Sequence, residues 1–116
     1  MAGFTTTDSM KGNAMLTTSR YPFNTGNVNF APESAGVYGL YDAAGNPIYF
    51  GRAQGGGTSI RGRLKDHLAG HEGKCTQGAA SFAWEACSDP VRREQEILTQ
   101  HAKLYGRLPK CNDRVG

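Results

Sequence analysis

The feature that most constrains the fold is a pair of alternating runs joined by a turn, "GVYGLYDAAGNPIYFGRA", at residues 36–53. Alternation with a period of two predicts strands, and "AAGN" contains residues typical of a turn. The runs therefore predict a β-hairpin in which Tyr38 lies opposite Gly51 and Leu40 lies opposite Tyr49. Because side chains alternate across a sheet, the two tyrosines share one face. The glycine leaves space beside Tyr38, which predicts a pocket.

The remaining sequence predicts two helices and one further strand. Ser59 is a favourable N-cap for a helix through "IRGRLKDHLA", which Gly70 would end. Asp89 as cap and Pro90 at the first position begin a longer helix through "VRREQEILTQHAKLYG". Between them, "SFAWEACS" predicts a third strand. The order β-β-α-β-α predicts a small α+β fold with a three-stranded, mostly antiparallel sheet flanked by helices.

Length and composition indicate one domain. Residues 1–30 are rich in Thr, Ser, Asn and Gly without a sustained period, so we expect a poorly ordered N-terminal arm and a compact domain over residues 31–116. The chain is 38% hydrophobic and 20% charged. No apolar run approaches the roughly 18 residues of a membrane span, so no membrane partner is expected. The first residues lack the pattern of a secretory signal, and we therefore expect a cytoplasmic protein.

The cysteines are few and their spacing is irregular. They are Cys75, Cys87 and Cys111. An odd, sparse set without a CxxC pair favours reduced thiols over a disulfide framework. His67, His71 and Cys75 follow one another at intervals of four, which on a continuous helix could align zinc ligands. Two glycines interrupt that helix, so structural zinc is only a minor alternative.

The first long helix has a buried stripe with charged residues along its edges. The stripe consists of Ile60, Leu64 and Leu68. Arg63 and His67 are four residues apart and therefore lie together along one edge of the stripe. Arg61 and Lys65 lie towards the other edge and solvent. An exposed, solvated row of charges is the alternative to a functional site here.

The last helix has a carboxylate on its apolar side. That side consists of Val91, Leu98, Ala102 and Tyr105, with Ile97 at its margin. At 100° per residue, Glu94 lies about 60° from Ile97 and about 40° from Leu98, whereas Glu96 lies roughly opposite. A carboxylate on a buried face is costly unless it is paired or binds a metal. Glu94 is therefore either a metal ligand or the ionic partner of Arg61 or His101.

Several short motifs in this order resemble the GIY-YIG nuclease domain. The half-motifs are Gly36-Val37-Tyr38 and Tyr49-Phe50-Gly51. "IRGRLKDHL" is similar to the arginine helix of that family, "REQEIL" to its glutamate helix, and "LPKCN" to its closing segment, which ends at Asn112. The resemblance covers residues 33–113. Position 67 is histidine where many members of the family have tyrosine.

The resemblance implies a divalent-metal-dependent DNA endonuclease that hydrolyses phosphodiester bonds. Glu94 would hold one Mg²⁺ or Mn²⁺ ion. Tyr38 would act as general base, for which nearby positive charge must lower its pKa. Arg63 would stabilise charge on the phosphoryl oxygens. Tyr49 and His67 would position water or relay the proton.

The resemblance also implies DNA as the partner. Arg52, with the basic residues Arg61 and Lys65, would contact the DNA backbone. Structural roles would fall to Gly36 and Gly51 and to Asn112, which we expect to cap backbone groups at the sheet edge. One alternative is a nucleic-acid-binding module of the same fold without turnover. Another is a small interaction protein that uses the hairpin and the arm.

Overall fold

The computed structural model describes residues 16 and 19–112 and has an α+β fold. Four strands form one antiparallel sheet in these residues. They are β1 (Tyr21–Pro22), β2 (Gly36–Tyr41), β3 (Pro47–Ala53) and β4 (Ser81–Ala86). The order across the sheet is β1-β4-β2-β3, so β3 is an edge strand and β2 is central.

The helices lie before and between the strands and after the last one. They are α1 (Thr25–Val28), α2 (Ile60–Leu68), α3 (Lys74–Gln77) and α4 (Pro90–Tyr105), with a 3₁₀ helix at Lys110–Asn112. The predicted N-caps are confirmed, because Ser59 accepts from the amide of Gly62 at 3.0 Å and Asp89 accepts from that of Arg92 at 3.2 Å. None of the described helices is long and apolar enough to cross a membrane.

The predicted register of the hairpin is confirmed. Tyr38 pairs with Gly51, and Leu40 pairs with Tyr49. The predicted pocket beside the glycine is wrong, however. A Cβ atom at Gly51 would lie 2.5 Å from the Tyr38 hydroxyl, and Tyr38 itself has 0% exposed surface. The tyrosine ring therefore fills the space that the missing side chain leaves.

The sheet has one strand more than the predicted three. The additional strand is β1, in which Tyr21 pairs with Phe82 of β4. It lies within the expected arm, as does α1, whose Val28 is completely buried. A strand of two residues and a helix of four are too short to show a period in the sequence. The rest of the expected arm lies mostly outside the described residues.

Helices cover both faces of the sheet. On one face, α1 and α2 pack on Tyr38 and Leu40; on the other, α4 packs on Phe50. The buried residues of α4 are Pro90, Glu94, Ile97 and His101. Ile97 therefore lies at the centre of the buried side rather than at its margin, and Tyr105 is 61% exposed. The predicted buried side of α4 was therefore rotated about the helix axis relative to the observed one, although the prediction correctly placed Glu94 on the buried side.

The prediction of reduced thiols is wrong for two of the three cysteines. Cys75 in α3 and Cys111 in the 3₁₀ helix form a disulfide, with their Cα atoms 5.8 Å apart, and Cys87 is free. The two cysteines are 36 residues apart, so their proximity depends on tertiary packing that spacing does not reveal. Because bonded sulfurs do not serve as thiolate ligands, Cys75 cannot complete the zinc set considered with His67 and His71.

Candidate active site

A buried hydrogen-bonded chain links strand β2 to helices α2 and α3. The Tyr38 hydroxyl lies 2.8 Å from Nε2 of His67, and Nδ1 of the same ring lies 2.8 Å from the hydroxyl of Thr76. All three side chains are buried. Both ring nitrogens are therefore engaged, which fixes the orientation of the imidazole. Sequence reasoning missed Thr76, since no local pattern marks it.

The imidazole of His67 is neutral at physiological pH. Burial lowers its pKa to about 4, and the positive charge of Arg63 acts in the same direction. In a neutral ring one nitrogen donates and the other accepts. The hydroxyls of Tyr38 and Thr76 can each take either role, so both possible tautomers are satisfied.

Of the two motif tyrosines, only Tyr49 reaches solvent. Its ring centroid is 6.1 Å from that of Tyr38 and 4.9 Å from that of His67, and it is half-buried. Burial raises the pKa of Tyr49, which the charge of Arg63 opposes. Burial also raises the pKa of Tyr38 well above its usual value, Tyr49 adds to this, and Arg63 again opposes it. Of these two tyrosines, solvent therefore contacts Tyr49 and not Tyr38.

Arg63 lies beside the tyrosines and is held by two carboxylates. Its Nη1 lies 3.2 Å from Asp66 and 3.2 Å from Glu72, and its side chain is 25% exposed. Burial works against its charge, but Tyr38 and Glu72 outweigh this effect and raise the pKa of Arg63, so the guanidinium stays charged. Neither acid was singled out from the sequence. Asp66 lies on α2 three residues after Arg63, and Glu72 lies in the loop after α2.

Glu94 and Arg52 form an ion pair on the opposite face of β3. Arg52 Nη1 lies 2.5 Å from Glu94 Oε1. The orientation predicted for the two acids of α4 is confirmed, because the side chain of Glu94 is 10% exposed whereas that of Glu96 is 47% exposed. The partner differs from both predicted candidates. Those bind elsewhere: Arg61 to the Ala31 carbonyl and Glu33, and His101 to the Arg107 carbonyl.

The edge strand β3 separates two groups of candidate residues. Tyr38, Tyr49, Arg63 and His67 come together on the face covered by α2. Alternation along the strand directs Arg52 to the other face, where it meets Glu94. Burial is the main cause of the raised pKa of Tyr49, and the charge of Glu94 adds to it although the two side chains lie on opposite faces of the strand.

The residues predicted to contact DNA are spread over different surfaces. Arg52 is engaged by Glu94, on the face covered by α4. Arg61 fastens the loop before β2 through Ala31 and Glu33. Lys65 is exposed on α2. Of the three, only Lys65 therefore presents its charge to solvent without a carboxylate partner among the ion pairs of the described residues.

Gly36 and Asn112 have structural roles: Gly36 allows neighbouring elements to pack closely, and Asn112 bonds to the backbone of the edge strand. A Cβ atom at Gly36 would collide with the backbone carbonyl of Glu85 in β4 and would lie 2.6 Å from Cδ1 of Ile60, so glycine allows both β4 and α2 to pack closely on β2. The side chain of Asn112 accepts from the amide of Phe50 at 2.9 Å and donates to its carbonyl at 3.0 Å. Asn112 thus pairs with edge strand β3 as a neighbouring strand would, in the arrangement that we expected.

The residues around the strand edge offer little to a metal ion beyond one carboxylate. The described part of the chain contains no group of three or more His, Cys, Asp or Glu side chains that could hold one. Mg²⁺ commonly binds through one or two carboxylates and keeps several waters or substrate phosphates. Glu94 fits a site of that kind, in which water and phosphate supply the remaining ligands.

Comparison with known proteins gives a family without an assigned activity. The comparison with curated proteins gives no match. Residues 15–103 match a family described as a domain of unknown function. The match extends from before β1 almost to the end of α4, so it includes all four strands. Since it spans more than half of the chain, the protein belongs to this family, DUF7508.

Proposed function

We propose that the protein is a divalent-metal-dependent DNA endonuclease with a GIY-YIG-like fold and site. The observation that supports this most is the cluster at the sheet edge. A buried pair, Tyr38 and His67, lies with the half-exposed Tyr49 beside the charged Arg63. Phosphodiester hydrolysis needs a route for the proton of the attacking water and positive charge beside the phosphoryl oxygens. This cluster supplies both.

In the proposed reaction, the attacking water contacts Tyr49, the more exposed tyrosine. Tyr38 lies behind it, and its hydroxyl is held by a hydrogen bond to the neutral ring of His67. The general base is the ionised form of Tyr38, which takes the proton of the water through Tyr49 while His67 holds it in position. Arg63 lowers the cost of negative charge on the tyrosine oxygens and on the phosphate.

Glu94 would hold the ion, Mg²⁺ or Mn²⁺. A bound divalent ion polarises the phosphate and stabilises the leaving oxygen. Arg52 currently pairs with this carboxylate, so it must turn away when a cation binds there. The side chain of Arg52 is 39% exposed, and it can then reach a DNA phosphate at modest cost.

Incubation of the purified protein with plasmid and branched DNA tests the proposal. We expect cleavage with Mg²⁺ or Mn²⁺ and none in EDTA. Tyr38→Phe and Arg63→Ala should each lower turnover by at least about a hundredfold. The matched control is Lys103→Ala, an exposed residue in the last turn of α4, which should cleave normally.

The alternative is a nucleic-acid-binding module of the same fold, and the complete burial of Tyr38 is the observation that favours it. A completely buried hydroxyl is equally suited to bracing the fold. That alternative predicts DNA binding without cleavage on any DNA form. Cleavage undiminished by EDTA, or absent with both metals, would overturn the proposed endonuclease.

A further inference from the structure

The disulfide lies next to two buried polar residues that brace the candidate site. Cys75 directly precedes Thr76, which bonds to His67 at 2.8 Å. Cys111 directly precedes Asn112, which makes two hydrogen bonds to Phe50. The cross-link therefore joins the two segments that carry these braces.

Each brace acts on a different part of the site. Thr76 fixes the imidazole that bonds to Tyr38. Asn112 fixes the backbone of Phe50, which lies between Tyr49 and Gly51 on the edge strand. Movement of either brace would thus change the position of a tyrosine relative to the histidine.

We propose that the Cys75–Cys111 disulfide is a redox-sensitive clamp that holds Thr76 and Asn112 in place, so that its reduction loosens the candidate site while the rest of the fold persists. Cys75 is exposed and Cys111 is half-buried, so a dithiol can reach the bond. The dithiol gives two electrons and two protons to the disulfide. The S–S bond breaks, both cysteines become thiols, and the reductant becomes a disulfide.

The two braced segments are too short to hold their positions alone. Helix α3 has four residues, and its N-cap is Gly73, which has no side chain that could cap the helix. The 3₁₀ helix has three residues. Elements of this length gain little stability from their own hydrogen bonds and depend on tertiary anchors. The disulfide is such an anchor, whereas α4 and the central strand β2 have extensive bonding and packing of their own.

Amide hydrogen exchange on the full chain tests the clamp and does not depend on nuclease activity. A Cys87→Ser variant serves as the parent protein, so that the disulfide is the only redox-active group among its described residues. Exchange is measured by NMR for the oxidised protein and for the protein in excess dithiothreitol. We expect exchange at Phe50 to rise at least tenfold on reduction and the ring signals of His67 to shift. Ile97 in α4 should change less than about twofold.

Two outcomes of the exchange measurement would overturn the clamp. One is no change at Phe50 and His67 on reduction. The other is an equal rise at Phe50 and Ile97, which would make the disulfide a general stabiliser of the fold. Cys75→Ser in the same parent should behave like the reduced protein and should no longer respond to dithiothreitol.

The effect on catalysis rests on the proposed function. If the protein cleaves DNA, dithiothreitol should lower turnover of the Cys87→Ser parent at least about tenfold and leave the slower Cys75→Ser variant unchanged. Equal turnover of the oxidised and reduced parent would overturn the clamp and leave the endonuclease intact. Absence of cleavage in every form would count against the endonuclease alone, because the exchange result stands by itself.

Discussion

Tyr38 of the central strand and His67 of helix α2 are joined by a 2.8 Å hydrogen bond in the interior of the protein. The bond ties a strand to a helix at the position where the candidate site lies. It also keeps an imidazole in surroundings where a positive charge is unfavourable, because burial and Arg63 both lower the pKa of His67. The buried imidazole that supports the proposed chemistry therefore makes the fold sensitive to acid.

Acid should destabilise the protein through His67. The ring of the unfolded chain takes up a proton as pH falls through 6.5, whereas that of the folded protein does so only at about 4. The unfolded state thus binds more protons in this window, and stability is lost as pH falls from 6.5 towards 4. We expect the free energy of unfolding to fall by on the order of 2 to 3 kcal/mol. Urea unfolding at pH 7 and pH 4.5 measures this difference in the free energy of unfolding.

Comparison of two histidine variants isolates that contribution. His67→Gln should lower stability at pH 7 and reduce the loss between pH 7 and pH 4.5. The side chain of His71 is 70% exposed, so His71→Gln should keep the full dependence on pH. An unchanged pH dependence in His67→Gln would show that the buried imidazole is not the acid-sensitive group.

Glycine at position 51 should be indispensable for packing. An added Cβ atom would lie 2.5 Å from the Tyr38 hydroxyl and 2.7 Å from the ring of Tyr49. Overpacking of this kind costs about 1–3 kcal/mol, so Gly51→Ala should lower the melting temperature by several degrees. Gly57→Ala is the matched control, since no atom lies within 4 Å of its added Cβ. Equal melting temperatures for the two variants would contradict the close approach of Tyr38.

Asn112 should stabilise the edge strand through both of its hydrogen bonds. In Asn112→Ala the amide and carbonyl of Phe50 lose their partners, and an unsatisfied buried group costs about 1–3 kcal/mol. We expect a loss of about 2–4 kcal/mol in chemical unfolding. Lys110→Ala, an exposed change in the same 3₁₀ helix, should stay within about 0.5 kcal/mol of wild type. Similar losses in both variants would indicate that the helix as a whole, rather than Asn112, is responsible.

Features that depend on local periodicity could be predicted from the sequence. The hairpin register followed from alternation and a turn, and the burial of Glu94 followed from helical geometry. The caps of α2 and α4 followed from residue type at a helix start. In each case the determining residues lie within a few positions of one another.

Features that depend on distant contacts could not be predicted. Arg52 and Glu94 are separated by 42 positions, and no spacing rule selects that pair over Arg61 or His101. Thr76 lies in a helix of four residues, which is too short to show a period in the sequence. The rotation of α4 was also misjudged, because apolar residues at the end of the helix, such as Tyr105, are exposed.

Ionisation of a tyrosine, rather than of a histidine, should determine the pH dependence of cleavage. Burial raises the pKa values of Tyr38 and Tyr49, and the pKa of His67 is about 4. Between pH 6 and pH 9 we therefore expect the single-turnover rate to rise by up to about tenfold per pH unit, without a plateau. Measurements at fixed metal and salt concentration test this. An inflection between pH 6 and pH 7 would mean that an unperturbed histidine controls the reaction.

Glu94 and Glu96 differ in burial and therefore should differ in effect. The side chain of Glu94 is 10% exposed and pairs with Arg52 of the edge strand, whereas that of Glu96 is 47% exposed and lies near Arg92 and Arg93. Glu94→Gln should abolish metal-dependent cleavage, because an amide is a poor ligand for Mg²⁺ compared with a carboxylate. Its stability should change little, since Arg52 is 39% exposed and can be hydrated when the ion pair is lost. Glu96→Gln should retain wild-type cleavage and stability.

Cleavage assays and thermal unfolding of the two glutamate variants, done side by side, separate a site effect from a folding effect. A further titration with Mn²⁺, followed by the change in melting temperature, tests the metal site without relying on turnover. Wild-type protein and Glu96→Gln should be stabilised by the ion, and Glu94→Gln should not. Loss of cleavage and of Mn²⁺ stabilisation in Glu96→Gln alone would place the site on the exposed side of α4, away from Tyr49 and the edge strand.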